Sequence, residues 1–142
     1  MTTTLPVRSA RPVAAALLAT AATFLALDLA WLGVVARGLY ELALGDLLRP
    51  DAYLPAAALF YAFYVAVTVG WAVLGAASKG DAARRGAGLG FVAYATYDLT
   101  NWAVIRDWPA LLVPVDLAWG VVLTTLAALA GRTAHEAVRG NR

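Results

Sequence analysis

Of the nine acidic side chains in this 142-residue chain, Asp28, Asp98 and Asp116 stand inside long apolar stretches. An acid at the middle of a membrane helix costs about 2.5–3.5 kcal/mol on insertion scales, so each of these carboxyls needs a chemical reason. Asp28 lies nine positions before Arg37, Asp98 eight before Arg106, and Asp116 nine after Asp107. At about 1.5 Å of rise per helical residue these offsets put all three at one depth, about 12–14 Å inside the same flank of boundary charges. Helical spacing groups Trp31 with Asp28, and Trp119 with Asp116. It places Tyr94, Tyr97, Thr100 and Asn101 around Asp98, while Tyr61 and Tyr64 supply phenols at similar or deeper levels. The layer therefore holds carboxyls, phenols, a hydroxyl, an amide and indole edges, with no basic side chain. Its neutralisation falls to protons, hydrogen bonds or a bound cation. Such groups suit protons, Na⁺ or hard divalent ions. Taken singly, each residue also fits a bland role, an interhelical hydrogen bond or an interfacial aromatic. Taken together they read as one polar binding site, to which no catalytic residue or resident metal is assigned.

Absences narrow the chemistry further. The chain has no cysteine, and its one methionine is Met1. Disulfides and thiolate-bound metals are thereby excluded, and haem finds no ordinary ligand within the apolar stretches. No lysine lies in them either, which excludes a retinal Schiff base, and Ser-His-Asp catalysis has no histidine there. The single histidine, His135, is expected to be a solvated residue of a tail. A net charge of +2, thinly spread, gives no nucleic-acid footprint.

The elements that must position these groups follow from the distribution of charge. With 62% hydrophobic and 14% charged residues, the chain departs far from a soluble domain of its size. Pro12–Ala36, Ala52–Ser78, Gly86–Ile105 and Trp108–Gly131 form four gaps between charged clusters, each near the roughly 20 residues a bilayer-crossing helix needs. The reading is an all-α polytopic membrane protein. It is a single domain over 1–142, a bundle of four transmembrane helices at about 12–36, 54–78, 87–105 and 109–131, with short tails 1–11 and 132–142. Pro12, Pro55 and Pro109 fall in first turns, where a missing amide proton costs nothing. Gly86 and Gly90 form a GxxxG suited to close helix packing. Arg8, Arg11, Lys79, Arg84, Arg85, Arg132, Arg139 and Arg142 fall on one side, against Arg37, Arg49 and Arg106 on the other. The positive-inside rule then puts both termini in the cytoplasm. Reading the first apolar run as a cleaved signal peptide is disfavoured by its length and by Asp28. Tyr40, Tyr53 and Trp108 are expected at the outer headgroups, and Arg37–Asp51 is expected to be a loop. The tetrapeptide Asp-Leu-Ala-Trp occurs at Asp28–Trp31 and at Asp116–Trp119, on helices expected to run in opposite directions.

Leu27-Asp28-Leu29-Ala30-Trp31-Leu32, Tyr94-Ala95-Thr96-Tyr97-Asp98-Leu99-Thr100-Asn101 and Asp116-Leu117-Ala118-Trp119-Gly120, with the Phe60-Tyr61 and Phe63-Tyr64 pairs and Trp108-Pro109, carry a resemblance. The chain resembles a domain-of-unknown-function family of small, four-helix bacterial inner-membrane proteins over about Ala26 to Gly131. The resemblance implies the topology and the importance of Asp28, Asp98, Asn101, Asp116 and Trp119, and it implies no activity. The bacterial inner membrane is the expected location, and the lipid bilayer, a small solute or lipid, and a second copy of the chain are the expected partners. Three functions remain open. The first is proton- or cation-linked binding or transport of a small solute, which would imply a homodimer or larger assembly because four helices enclose little space. The second is an intramembrane enzyme acting on a lipid or isoprenoid. The third is a structural or accessory subunit.

Overall fold

The computed structural model describes residues 10–140, and among them the fold is all-α with no strand. Arg8 and Arg142, two of the charges that orient the chain, lie outside the described residues. α1 is Ala10–Ala30, α2 is Arg37–Leu44, α3 is Leu54–Val67, α4 is Lys79–Val104 and α5 is Leu112–Gly140.

α1 buries Pro12, Ala16, Thr20, Phe24 and Asp28, one residue every four and therefore a single stripe. It runs on as a π-helical turn, Trp31–Val35, closed by the Ala36 amide donating to the Trp31 carbonyl at 2.7 Å. α3 starts with Pro55 in its first turn and runs on as a second π-helical segment, Thr68–Val73. The Thr68 hydroxyl donates back to the Tyr64 carbonyl at 2.8 Å where that widening begins. The first π segment interrupts the regular spacing next to Asp28 and the cavity-lining Trp31, a position where such turns recur at functional sites.

α4 begins well before the apolar boundary expected at 87. Ser78 caps it, its hydroxyl accepting from the Asp81 amide at 3.1 Å, while the Asp81 carboxylate accepts from the Ala77 amide at 3.0 Å. This reciprocal pair satisfies two amides that a helix start leaves open, so the helix includes Arg84 and Arg85. α5 likewise continues beyond 131 to Gly140, so 132–140 is helix rather than tail. Ala128, Gly131, Arg132 and His135 lie on one continuous buried face of that extension. His135 is consequently buried, contrary to the solvated surface position expected for it.

α5 lies between α1 and α4 and packs along both. A side chain on Gly90 would strike the Gly120 carbonyl, one on Gly86 the Thr124 carbonyl, and one on Gly131 the Thr20 hydroxyl. The packing role expected of the Gly86-Gly90 pair is met, since the missing side chains let α4 and α5 approach backbone to backbone. α3 packs against α1, and its π-helical end reaches α1, α4 and α5. Ala16, Val65, Val69, Ala72, Val73 and Ala128 fill the core there, and Phe24, Tyr64, Leu123 and Ala127 fill it at mid-bundle. The Arg132 guanidinium donates to the Val73 and Ala76 carbonyls at 3.2 and 2.8 Å and ties that end of α3 to α5.

Three helical segments, Ala10–Val35, Leu54–Val73 and Leu112–Gly140, are long and apolar enough to cross a membrane. α4, at 26 residues, has the length without the composition. Lys79, Asp81, Arg84 and Arg85 occupy its first turns, and Asp98, Asn101 and the tyrosines dilute the rest. Leu18, Leu29, Val34, Leu59 and Val104 point outward and are largely exposed, as apolar side chains facing lipid are.

Candidate functional site

A cavity of about 560 Å³ lies within the chain, on the α2 side of the mid-bundle core. Its size is within the range of small-molecule sites. Asp28 and Asp116 face it from α1 and α5, and Tyr61 and Tyr64 from α3. Tyr94 and Tyr97 face it from α4, with Trp31 and Trp119 completing the group. Eight of the eleven expected site residues are therefore brought together.

Each of the two facing carboxyls has its own hydrogen-bond set. Asp28 accepts from the Tyr61 hydroxyl at 2.7 Å and from the Trp119 indole at 3.4 Å. Asp116 accepts from the Tyr40 hydroxyl, which in turn accepts from the Trp31 indole at 3.4 Å. The two indoles are stacked, with ring centroids 4.4 Å apart. The repeated Asp-Leu-Ala-Trp tetrapeptides are thus joined crosswise: one tryptophan donates to the other copy's acid directly, and the other donates through Tyr40. Tyr94 lies across α5 in the space left by Gly120, where a side chain would meet its ring. Tyr64 shares a hydrogen bond of 2.9 Å with Thr124 deeper in the bundle.

Three of the expected residues are placed elsewhere. Asp98 is fully buried, does not line the cavity, and neither of its carboxyl oxygens has a hydrogen-bond partner. The Thr100 hydroxyl turns back on its own helix, donating to the Thr96 and Tyr97 carbonyls. Asn101, one turn from Tyr97 on α4, does not line the cavity either. Depth arithmetic ranks residues along a helix axis and leaves rotation about it open, which is why these three join the layer by level and not by face.

Tyr40, expected among the headgroups, is instead part of the site. It lines the cavity together with Leu44 one turn later, and both stand on α2, the segment expected to be a loop. Burial and then the hydrogen bond to Asp116 push its phenol up from the ordinary value. The sequence signal is the spacing of four between Tyr40 and Leu44, which forms a stripe beside the exposed Arg37–Glu41 ion pair of 2.8 Å. Trp108 is likewise buried in the cavity wall, packed edge-on to Tyr97 at 5.9 Å, while Tyr53 is exposed. Leu32, Ala57, Phe60, Phe63, Ala93 and Leu112 complete a mainly apolar wall.

Among the described residues no group of three or more His, Cys, Asp or Glu side chains is placed to hold a metal ion. The cavity thus offers two separated carboxyl acceptors, several phenols and many aromatic faces, and no lysine or arginine lines it. An all-α bundle with membrane-length apolar helices and polar groups gathered inside defines a polytopic membrane protein. The chain belongs to the predicted membrane protein family DUF2177, whose model matches residues 13–133. No curated protein and no solved structure matches the chain.

Proposed function

We propose that the chain crosses the bacterial inner membrane four times, with both termini cytoplasmic, and binds small amphipathic organic cations in the acid-lined aromatic cavity, in exchange for protons. One observation carries the reading: two carboxyls face an aromatic cavity that no basic side chain lines. A cationic head satisfies Asp28 or Asp116 and also gains from the electron-rich faces of Trp31, Trp119, Tyr61 and Tyr94. An anion would meet only acceptors and negative ring faces, and an inorganic cation would lack a converging ligand set. The apolar wall of Leu32, Leu44, Phe60 and Leu112 suits an alkyl or aryl body. α4 is taken as a fourth crossing because it packs along α5 and turns Asp98 inward, away from lipid. A single chain encloses the cavity, so binding as proposed needs no second copy.

The test is a titration of the purified protein in phosphatidylcholine nanodiscs, followed by tryptophan fluorescence, with decylammonium, tetramethylammonium and decanoate as probes. Decylammonium is expected to bind saturably and to weaken by about tenfold or more, which is about 1.4 kcal/mol, in Asp28→Asn and Asp116→Asn. Equal binding of decanoate, or decylammonium binding unchanged in both variants, would overturn the proposal.

A further inference from the structure

Two cavity-lining side chains, Phe63 of α3 and Tyr97 of α4, are also 66% and 57% exposed on the outside of the bundle. A residue that faces a cavity and the exterior at once stands at a mouth. The helix packing explains why one exists there. α4 packs along α5 and against the π-helical end of the third segment, Thr68–Val73, whereas Leu54–Val67 packs against α1. α3 and α4 therefore meet at the Arg132 end and separate toward the α2 end. Tyr61 and Tyr64 from one side of the gap and Tyr94 from the other line the cavity behind it.

The rims of this gap are apolar. Leu54–Val67 carries no charge, and from Gly86 to Val104 the only charged residue is the buried Asp98. Leu59 and Phe60 beside Phe63 on α3, and Val104 two turns along from Tyr97 on α4, are exposed and apolar, and the Thr96 and Thr100 hydroxyls of α4 are bonded back to their own helix. The end of the cavity nearest the boundary charges is covered differently. α2 lies over it, with Tyr40 and Leu44 turned in, Tyr40 bonded to Asp116, and Leu42 turned out at 89% exposure.

We infer that the cavity opens sideways, between Phe63 and Tyr97, into the half of the bilayer nearer α2. Its ligand is then an amphiphile already dissolved in the membrane, whose cationic head moves in to Asp28 and Asp116 while its chain stays in the gap. This rests on the binding reading above for the charge of the head, and on the helix separation alone for the path. An apolar, aromatic-rimmed opening at hydrocarbon depth exposes no polar backbone to lipid, because both rims are intact helices. A water-facing entrance would instead require α2 to lift and the Tyr40–Asp116 hydrogen bond to break.

The chain lacks cysteine, so Phe63→Cys, Tyr97→Cys and Leu42→Cys each introduce a single reactive thiol. Trp71→Phe with Trp102→Phe removes the exposed indoles and leaves Trp31, Trp108 and Trp119, all of which line the cavity. In bilayers brominated along the acyl chains, these three indoles are expected to be quenched. A bulky maleimide adduct on the thiol of the Phe63→Cys or the Tyr97→Cys protein should relieve the quenching, and the same adduct on the Leu42→Cys protein should not. Two mouth positions are used so that a poorly folded variant at one leaves the other decisive. Quenching insensitive to both mouth adducts, or relieved by the adduct on the Leu42→Cys protein, would overturn the side opening. Decylammonium titrations on the same samples separate the two claims. Adduct-sensitive quenching without binding sinks the cationic ligand and leaves the opening standing, whereas binding with adduct-insensitive quenching sinks the opening alone.

Discussion

The indoles of Trp31 and Trp119 lie 4.4 Å apart and 9° from parallel, and they join two helices that are far apart in sequence. Each also donates to a site oxygen on another element, Trp31 to the Tyr40 hydroxyl and Trp119 to Asp28. The pair thereby links the two carboxyl stations, Trp119 directly to Asp28 and Trp31 through Tyr40 to Asp116. Stacked aromatic pairs contribute about 0.5–1.5 kcal/mol beyond area burial. A double-mutant cycle of Trp31→Leu and Trp119→Leu should therefore show a coupling of that order. The readout is reversible unfolding in mixed micelles. Additive losses would mean that the two rings merely touch.

Close approach of α4 and α5 gives a second expectation. Gly90→Ala places a methyl against the Gly120 carbonyl, and Gly120→Ala places one in the Tyr94 ring. Overpacking of this kind costs about 1–3 kcal/mol. Gly88→Ala meets nothing within 4 Å and serves as a control on the same helix. Its effect should be neutral or stabilising, since alanine is the better helix former by about 1 kcal/mol in water. Thermal midpoints in detergent check all three. Gly120→Ala should in addition weaken cation binding, because Tyr94 must leave its place over α5.

Legibility in the sequence followed polarity. Asp28, Asp116, Trp31, Trp119, Tyr61 and Tyr94 were readable because a polar or amphipathic group inside an apolar helix must find a partner, and helical spacing says which neighbours it has. Asp98 shares their depth yet lies outside the cavity lining, because rotation about α4 is fixed by Gly86 and Gly90 against α5 and not by depth. Tyr40 was hidden by Arg37 and Glu41, charges that make α2 look like a loop although they occupy only its exposed face. His135 was misplaced because the apolar run ends at Gly131 while the helix does not. The start of α4 was missed because the apolar stretch begins only after Arg85, whereas the Ser78–Asp81 cap starts the helix at Lys79.

That cap carries a pH dependence. The Ala77 amide, and after it the Arg84 side chain, hold the Asp81 carboxyl below its ordinary value. A carboxylate with a depressed folded-state pKa stabilises the fold above its unfolded-state pKa, near 3.9, and that contribution is lost as pH falls through the folded value. The thermal midpoint should drop on acidification below about pH 4, and this acid-induced drop should be smaller in Asp81→Asn. Ser78→Ala, which removes the other half of the cap, should cost about 0.5–2 kcal/mol at neutral pH. A midpoint in Asp81→Asn that follows the native acid profile throughout would show that the cap adds no proton-linked stability.

The contrast between Asp98 and Asp28 yields the last expectation. The Asp28 carboxyl accepts two hydrogen bonds, whereas both oxygens of the fully buried Asp98 have none. Removing one partner of a buried bond leaves the other unsatisfied at about 1–3 kcal/mol, so Tyr61→Phe and Asp28→Leu should each destabilise the bundle by that order. Asp98 leaves no donor stranded when it is replaced. Asp98→Leu, close to it in size, should therefore keep or raise stability, as apolar replacements of unpaired buried polar groups do. A carboxyl that accepts no hydrogen bond, yet sits fully enclosed one residue from the cavity-lining Tyr97, is free to serve as a proton carrier. Loss of proton-coupled cation uptake in a stable Asp98→Leu protein in proteoliposomes would assign it that role. Unchanged uptake would remove Asp98 from the exchange and leave Asp28 and Asp116 as its only acids.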